Sequence, residues 1–304
     1  MSIDDKKTKI SRLMDPVLRQ NLLVRHRVKQ QARIFFCKHG FVEVDTPILG
    51  ERLDEYTTHH FQVEGQNGHY CLPQSPQLYK QLIVMRCFDR YFQFPHCFRD
   101  EEFDPRRSDQ VPEFMQIDFE LQAKSKEDVM LIAEELIEAI CDELALPCQR
   151  PFPVLDAVDC ITRYHSDKPD FRNSQDQNAF VWVVDFPLAE CTMEGKLVAS
   201  HHPFALPILQ GNSLPIDNIQ DLRSHSFDLV LNGMEIGGGD LRINSYELQE
   251  EILQVFGLKR SQFDSLLLAL REGPAPAHGG MAIGFDRLLM QLTRTQDIRN
   301  VNAF

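Results

Sequence analysis

The sequence predicts an α+β fold: an antiparallel sheet with helices packed outside it. Three observations carry that prediction. Strand candidates fall in groups with hairpin-like spacing rather than alternating one for one with helices. Residues 113–121 alternate without a break, Met115, Ile117, Phe119 and Leu121 against Phe114, Gln116, Asp118 and Glu120, as a strand with one buried face does. No GxGxxG or Walker P-loop pattern is present, so doubly wound dinucleotide and P-loop architectures lack their signature.

The elements follow in order. Over residues 15–39, Leu18, Leu22, Val28, Ala32 and Phe35 recur at near-helical spacing and Gly40 supplies a stop. Residues 41–45 alternate as a strand that Thr46 and Pro47 end. A second helix, residues 78–87, is entered through Pro73-Gln74-Ser75-Pro76, and residues 91–98 form the strand after it. Residues 113–121 place an aromatic, an amide and two carboxylates in register on the polar face, which reads as the floor of a pocket. Residues 127–144 are an acidic helix. Residues 181–186, 226–231 and 240–243 read as strands, and residues 245–256, 261–270 and 285–293 as helices.

At 304 residues the chain can bury a core without disulfide or metal support, and a single domain spanning 1–304 is expected, with residues 1–14 as a flexible basic tail. No stretch approaches a membrane span, and the polar first residues lack the apolar region of a secretory signal, so the cytoplasm is the expected location. The eight cysteines form no CxxC pair and read as reduced thiols. A net charge of -13 excludes binding of DNA through a bulk positive field. Residues 1–33 nevertheless hold nine Lys/Arg against three Asp, either a local phosphate contact or a solvated helix face.

Three segments carry chemistry. Arg99-Asp100-Glu101 precedes Phe114 to Glu120 across a polar loop with Arg106 and Arg107. Arginine fits phosphate through a bidentate fork, and an aromatic ring beside a carboxylate suits a purine. The competing reading is an ion pair of Arg99 with Glu101 or Asp118. In Glu235-Ile236-Gly237-Gly238-Gly239-Asp240-Leu241-Arg242, with Asp228 upstream, the glycines permit close approach of a ligand. Asp228 and Glu235 are hard donors for Mg²⁺ on a polyphosphate, and a bland turn is the alternative. In the third, Gly279 to Arg287, a glycine-rich strand runs into a helix with Arg287 in its first turn, where an anionic partner suits it.

Together these segments resemble the three signature motifs of class II aminoacyl-tRNA synthetases, most of all the bacterial-type aspartyl enzymes. Phe41 and the residues through Leu49, with Pro47, are similar to the dimer-interface motif. Phe98-Arg99-Asp100-Glu101 with Pro112 through Asp118 is similar to the second, and Gly284-Phe285-Asp286-Arg287 to the third. The likeness extends to residues 72–81, 166–170 and 201–204. It implies an ATP-dependent homodimeric ligase of the aspartate–tRNA type, acting on L-aspartate and a tRNA acceptor end.

By position the resemblance implies that Arg99 holds the α-phosphate, Glu101 and Phe114 the adenine, Arg287 the other adenine face and the γ-phosphate, and Asp228 with Glu235 the Mg²⁺. Lys80 and Arg242 would pair with the aspartate side chain while His201 and His202 close around it. Ser75, Gln77 and Asp118 would take the ammonium and Gln116 the reacting carboxylate. Glu55 falls where the family has a glutamate on a mobile loop, without that loop's Pro and Gly neighbours. Departures are expected too: no anticodon-reading OB-fold, a short link at 171–180 in place of the family's inserted domain, a longer loop before Pro112, and Gln110 where an arginine or histidine usually meets the γ-phosphate. Ammonia or a small amine is the alternative acceptor, and a non-catalytic regulator binding aspartate or its adenylate is a third reading.

Overall fold

The computed structural model describes residues 10–50, 60–101, 107–174, 177–209, 211, 214–273 and 275–304. Helix α1 (Pro16–Lys38) starts on Asp15, whose carboxylate accepts from the Val17 N–H, and ends before Gly40, which has φ +76°. The central sheet contains β1 (Val42–Glu43), β4 (Arg90–Gln93), β5 (His96–Phe98), β6 (Glu113–Gln122), β7 (Val154–Asp156), β8 (Phe180–Val184), β11 (Ser226–Leu231), β12 (Met234–Leu241) and β13 (His278–Gly284). Its order is β1-β4-β6-β13-β12-β11-β8-β7, with β5 on β6. Two hairpins stand apart, β2 (Gln62–Gly65) with β3 (Gly68–Cys71) and β9 (Ala189–Cys191) with β10 (Leu197–Ala199).

The alternation of β6 sorts the molecule into two sides. Met115, Ile117, Phe119 and Leu121 enter a core shared with α1, with α3 (Lys126–Leu144) and with α7 (Phe285–Leu292), where Phe36 stacks on Phe92 at 4.7 Å between ring centroids. The opposite face meets α2 (Gln77–Arg86), which packs against α6 (Asp264–Arg271), itself against α5 (Tyr246–Val255). Helix α4 (Ala157–Tyr164) lies by the β7 edge.

The expected antiparallel sheet is present at the centre, while both edges are parallel: β1 on β4 and β7 on β8. The strand expected over 91–98 breaks into β4 and β5, because Pro95 has no N–H for a ladder; its carbonyl accepts from Gln116 N–H instead. Only Val42 and Glu43 of the strand expected at 41–45 join the sheet. The helix expected over 261–270 opens as a 3₁₀ turn, Arg260–Gln262, before α6. The triple glycine lies inside β12 rather than in a turn, so the strand expected at 240–243 starts at Met234. In the expected basic tail, residues 10–12 form a helical turn and Arg12 donates to the Arg299 carbonyl at 2.6 Å. Among the described residues no helix is long and apolar enough to cross a membrane.

Candidate active site

Two rows of residues cross the sheet beneath a cavity of about 570 Å³, which Asp118, Ala282, Gly238, Asp228 and Asp240 line directly. One row runs Tyr91, Glu120, Gly280, Asp240 and Ser226 from β4 to β11; the next runs Gln93, Asp118, Ala282, Gly238 and Asp228. Because strand side chains alternate, all of these share a face. The small residues on β13 and β12 make room for the large ones beside them. A Cβ on Gly280 would lie 1.9 Å from Glu120 Oε2, and one on Gly238 would lie 2.5 Å from Asp228 Oδ1.

The end of the cavity beside α2 is dense in buried charge. Lys80 Nζ, from α2, donates to Asp118 Oδ2 at 2.8 Å and lies 3.5 Å from Glu120 Oε2. Arg242 grips Glu120 with Nε and Nη2 at 2.8 and 2.9 Å, and its Nη1 donates to Asp240. His202 Nε2 lies 2.7 Å from Asp240 Oδ2 and 2.9 Å from Arg242 Nη1. Burial would raise both the Glu120 and Asp240 carboxyls, but Arg242 beside them, with Lys80 at Glu120 and His202 at Asp240, holds both below the ordinary range. Burial wins at Asp118, which is pushed up despite Lys80, and at His202, which is pushed down. Two buried acceptor or donor atoms here, Asp118 Oδ1 and Gln77 Nε2, have no hydrogen-bond partner among the described residues. Ser75 also lines the cavity.

At the opposite end Arg99 lies over the Phe114 ring, 5.2 Å from its centroid, rather than pairing with Glu101 or Asp118. Gln116 accepts from the Cys97 thiol at 3.2 Å. Arg287, in the first turn of α7, reaches Asp109, which Arg107 also holds at 2.7 Å. Asp286 beside it receives the Met115 N–H and pairs with Arg25 at 2.5 Å, tying α1 and α7 to β6.

Asp228 and Glu235 project from adjoining strands. Burial raises the Asp228 carboxyl, with the charge of Glu235 adding to the effect against His201, whose Nε2 is 3.3 Å away. Glu235 is held low because Lys168, 2.9 Å away, outweighs its burial. The His201 imidazole, which burial alone would depress, is lifted by Asp228. Among the described residues no group of three His, Cys, Asp or Glu could hold a metal by itself. Two carboxylates, with room for one opened by Gly238, are hard oxygen donors of the kind that would hold Mg²⁺.

The expected site residues therefore converge. Ser75, Gln77, Lys80, Arg99, Glu101, Phe114, Gln116, Asp118, His201, His202, Asp228, Glu235, Arg242 and Arg287 all line this cavity. Glu55 lies outside the described residues, as does Arg106. Lys80 and Arg242, expected to pair with a substrate carboxylate, also pair within the fold, Lys80 with Asp118 and Arg242 with Glu120 and Asp240. Asp240, Lys168 and Asp109 are not singled out as site residues by the sequence, which places Glu120 on the pocket's polar face without giving it a role. The period-two spacing of Asp240 with Gly238 and Arg242 is the signal that places Asp240 on the cavity face.

The model of the family described as tRNA synthetases class II (D, K and N) matches residues 5–304. The chain belongs to that family. Among curated relatives it is 30% identical to the aspartate–tRNA(Asp/Asn) ligase of Persephonella marina, covering 95% of this chain and 70% of the relative. It is 29% identical to the aspartate–tRNA ligase of Thermosipho africanus, covering 96% and 71%. The first of these alignments runs over 431 positions against a chain of 304 residues, so that synthetase carries internal segments with no counterpart here. The class II fold is shared with the asparaginyl-tRNA synthetase of Pyrococcus horikoshii complexed with asparaginyl-adenylate, at a TM-score of 0.75 and 19% identity over 96% of this chain and 69% of that one. It is shared also with the aspartyl-tRNA synthetase of Entamoeba histolytica, at a TM-score of 0.70 and 24% identity over 93% and 57%.

Proposed function

We propose that this class II synthetase domain activates the α-carboxylate of L-aspartate with ATP, forming aspartyl-adenylate and pyrophosphate, and passes the aspartyl group to a tRNA 3′ end. The supporting observation is the buried, unpartnered Asp118 Oδ1 beside the Lys80 and Arg242 network: an acceptor of that kind suits an α-ammonium group. Gln116 then stands next to the reacting carboxylate, and Arg99 and Arg287 next to the phosphates. An α-carboxylate oxygen attacks the α-phosphorus in line and pyrophosphate leaves, so these side chains position and neutralise without a protein nucleophile. Asp228 and Glu235 would hold Mg²⁺, which supplies charge neutralisation on the nucleotide phosphates.

ATP–pyrophosphate exchange tests the activation step. Exchange should require aspartate or a close analogue and fall by about a hundredfold or more in Arg99→Ala, a transition-state charge contact. Exchange independent of any added amino acid would refute the reading.

Ammonia or a small amine is the second acceptor, in a reaction that forms an amide at an activated aspartate carboxylate. The ion pairing of α1 favours it: Arg25, Arg27 and Arg33 are paired to Asp286, Glu143 and Glu43 rather than presented to a polyanion. Mass analysis of products formed from aspartate and ATP with total tRNA, or with ammonium, distinguishes an aminoacyl ester from an amide.

A further inference from the structure

The charge balance at the amino-acid end bears on which side chain the site accepts. Lys80 and Arg242 face Asp118, Glu120 and Asp240, all 2% exposed or less. An α-ammonium group brought to Asp118 Oδ1 would offset one carboxylate. Two cations and two carboxylates then remain: Asp240 lines the cavity with Lys80, Arg242 and His202, and Glu120 pairs with both cations outside the lining. That remainder is neutral. A neutral pocket gives no net attraction to a second carboxylate, and it leaves no uncompensated cation when an amide takes the carboxylate's place.

Asp240 is the group that makes this balance. Glu120 occupies Nε and Nη2 of Arg242, so Nη1 is the face left for a ligand, and Asp240 holds it. Its other oxygen faces His202 Nε2, while His202 Nδ1 accepts from the Phe204 N–H at 3.4 Å. With Nδ1 accepting, the single N–H of the neutral imidazole is at Nε2 and faces Asp240 Oδ2, which holds that carboxylate against Arg242.

We propose that Asp240 determines the specificity of this site by occupying Arg242, and that it relaxes discrimination, so that the domain activates asparagine as well as aspartate. This inference rests on the amino-acid-activating reading given above. With Asp240 in place, a substrate carboxylate competes with a protein carboxylate for the same guanidinium edge. Removal of its charge should free Arg242 and restore a preference for aspartate.

The test is ATP–pyrophosphate exchange with L-aspartate and L-asparagine in the wild type, Asp240→Asn and Asp240→Ser. In the wild type, the two values of kcat/KM should lie within about tenfold of each other, and both variants should shift the ratio toward aspartate by about tenfold or more, the size of one charged hydrogen bond. The shift should appear in KM. A merely structural role for Asp240 would lower exchange with both amino acids together and leave the ratio in place, so the ratio separates the two. A melting curve identifies an unfolded variant, and the isosteric Asp240→Asn keeps the comparison if Asp240→Ser is lost. Aspartate favoured over asparagine by more than about a hundredfold in the wild type would overturn the inference while leaving the activation reading intact. Variants with an unchanged ratio would overturn it equally. Exchange with neither amino acid would refute the activation reading, and the inference with it.

Discussion

Lys80 Nζ lies 2.8 Å from Asp118 Oδ2, with both side chains sealed from solvent. That contact starts a chain of buried charge running through Glu120 to Arg242, Asp240 and His202. It links α2 to β6 and β12 and to the loop that carries His202, and it leaves one buried acceptor, Asp118 Oδ1, without a hydrogen-bond partner among the described residues. The same charges position a substrate and hold the sheet face together.

Removing Glu120 should therefore cost stability as well as activity. Glu120→Gln leaves Arg242 paired to Asp240 and Lys80 to Asp118, yet each loses a fully buried partner. Breaking such a pair typically costs about 3–5 kcal/mol. Denaturant unfolding should show a loss near the lower value, and a loss under about 1 kcal/mol would mean that the network contributes little to folding.

Acid should act through the same carboxylates. Glu120 and Asp240 are held below their ordinary values of 4.5 and 3.8, where burial is outweighed by Arg242. Near pH 4 the unfolded chain then binds more protons at these positions than the folded one, so their contribution is present above about pH 4.5 and is lost as pH falls through the depressed folded values. Asp118, raised by burial, runs the other way and partly offsets the slope. Unfolding free energy measured from pH 6 to pH 3 should fall with pH, less steeply in Glu120→Gln. Equal slopes would exclude Glu120 as a source.

What could be read from the sequence was whatever repeats at short range. The alternation of β6 identified both its core face and its pocket face, since Met115 and Asp118 obey the same period of two. The triple glycine was ambiguous because glycine is a poor strand former. Its place in β12 follows from neighbours that need the space, Asp228 beside Gly238 and the Phe227 ring 2.8 Å from a Cβ on Gly239. The pairing of charges was the least legible part. Which carboxylate neutralises Arg242 depends on Glu120, 122 positions away, and no local pattern carries that distance. The parallel edges escaped for the same reason, as β1 and β4 meet across the intervening helix α2.

A dimer through the β1 region is expected from the exposed apolar side chains there. Ile48 and Leu49 are half exposed, at 51% and 53%, and Val42 is 37% exposed. Val42 lies in a strand only two residues long at the edge of the sheet, and Ile48 and Leu49 follow it closely in sequence. Light scattering at micromolar concentration should report twice 35.2 kDa, and Leu49→Asp should shift the particle toward one chain. A 35.2 kDa particle for the wild type would contradict the dimer.

Binding of tRNA by this chain should be weak and only shallowly dependent on salt. The basic stretch in α1 was the natural candidate for phosphate contacts. In the fold, Arg25 pairs with Asp286, Arg27 with Glu143 and Arg33 with Glu43. Lys29 is pushed down by burial and by its neighbours Arg25 and Arg33. The exposed pairs, Arg27 and Arg33, are individually weak, but a phosphate must compete with a carboxylate for each, so few counterions are released on binding. The slope of log K against log salt is about -0.7 to -0.9 per phosphate neutralised, and a total no steeper than about -3 is expected. Arg107 adds a second readout. It shares Asp109 with Arg287, so Arg107→Ala should leave Asp109 closer to Arg287 and reduce pyrophosphate exchange by competing with phosphate for that guanidinium. A loss of transfer to tRNA with exchange unchanged would instead make Arg107 an acceptor-stem contact. A salt slope as steep as about -6 would mean that the pairs on α1 open to meet the nucleic acid.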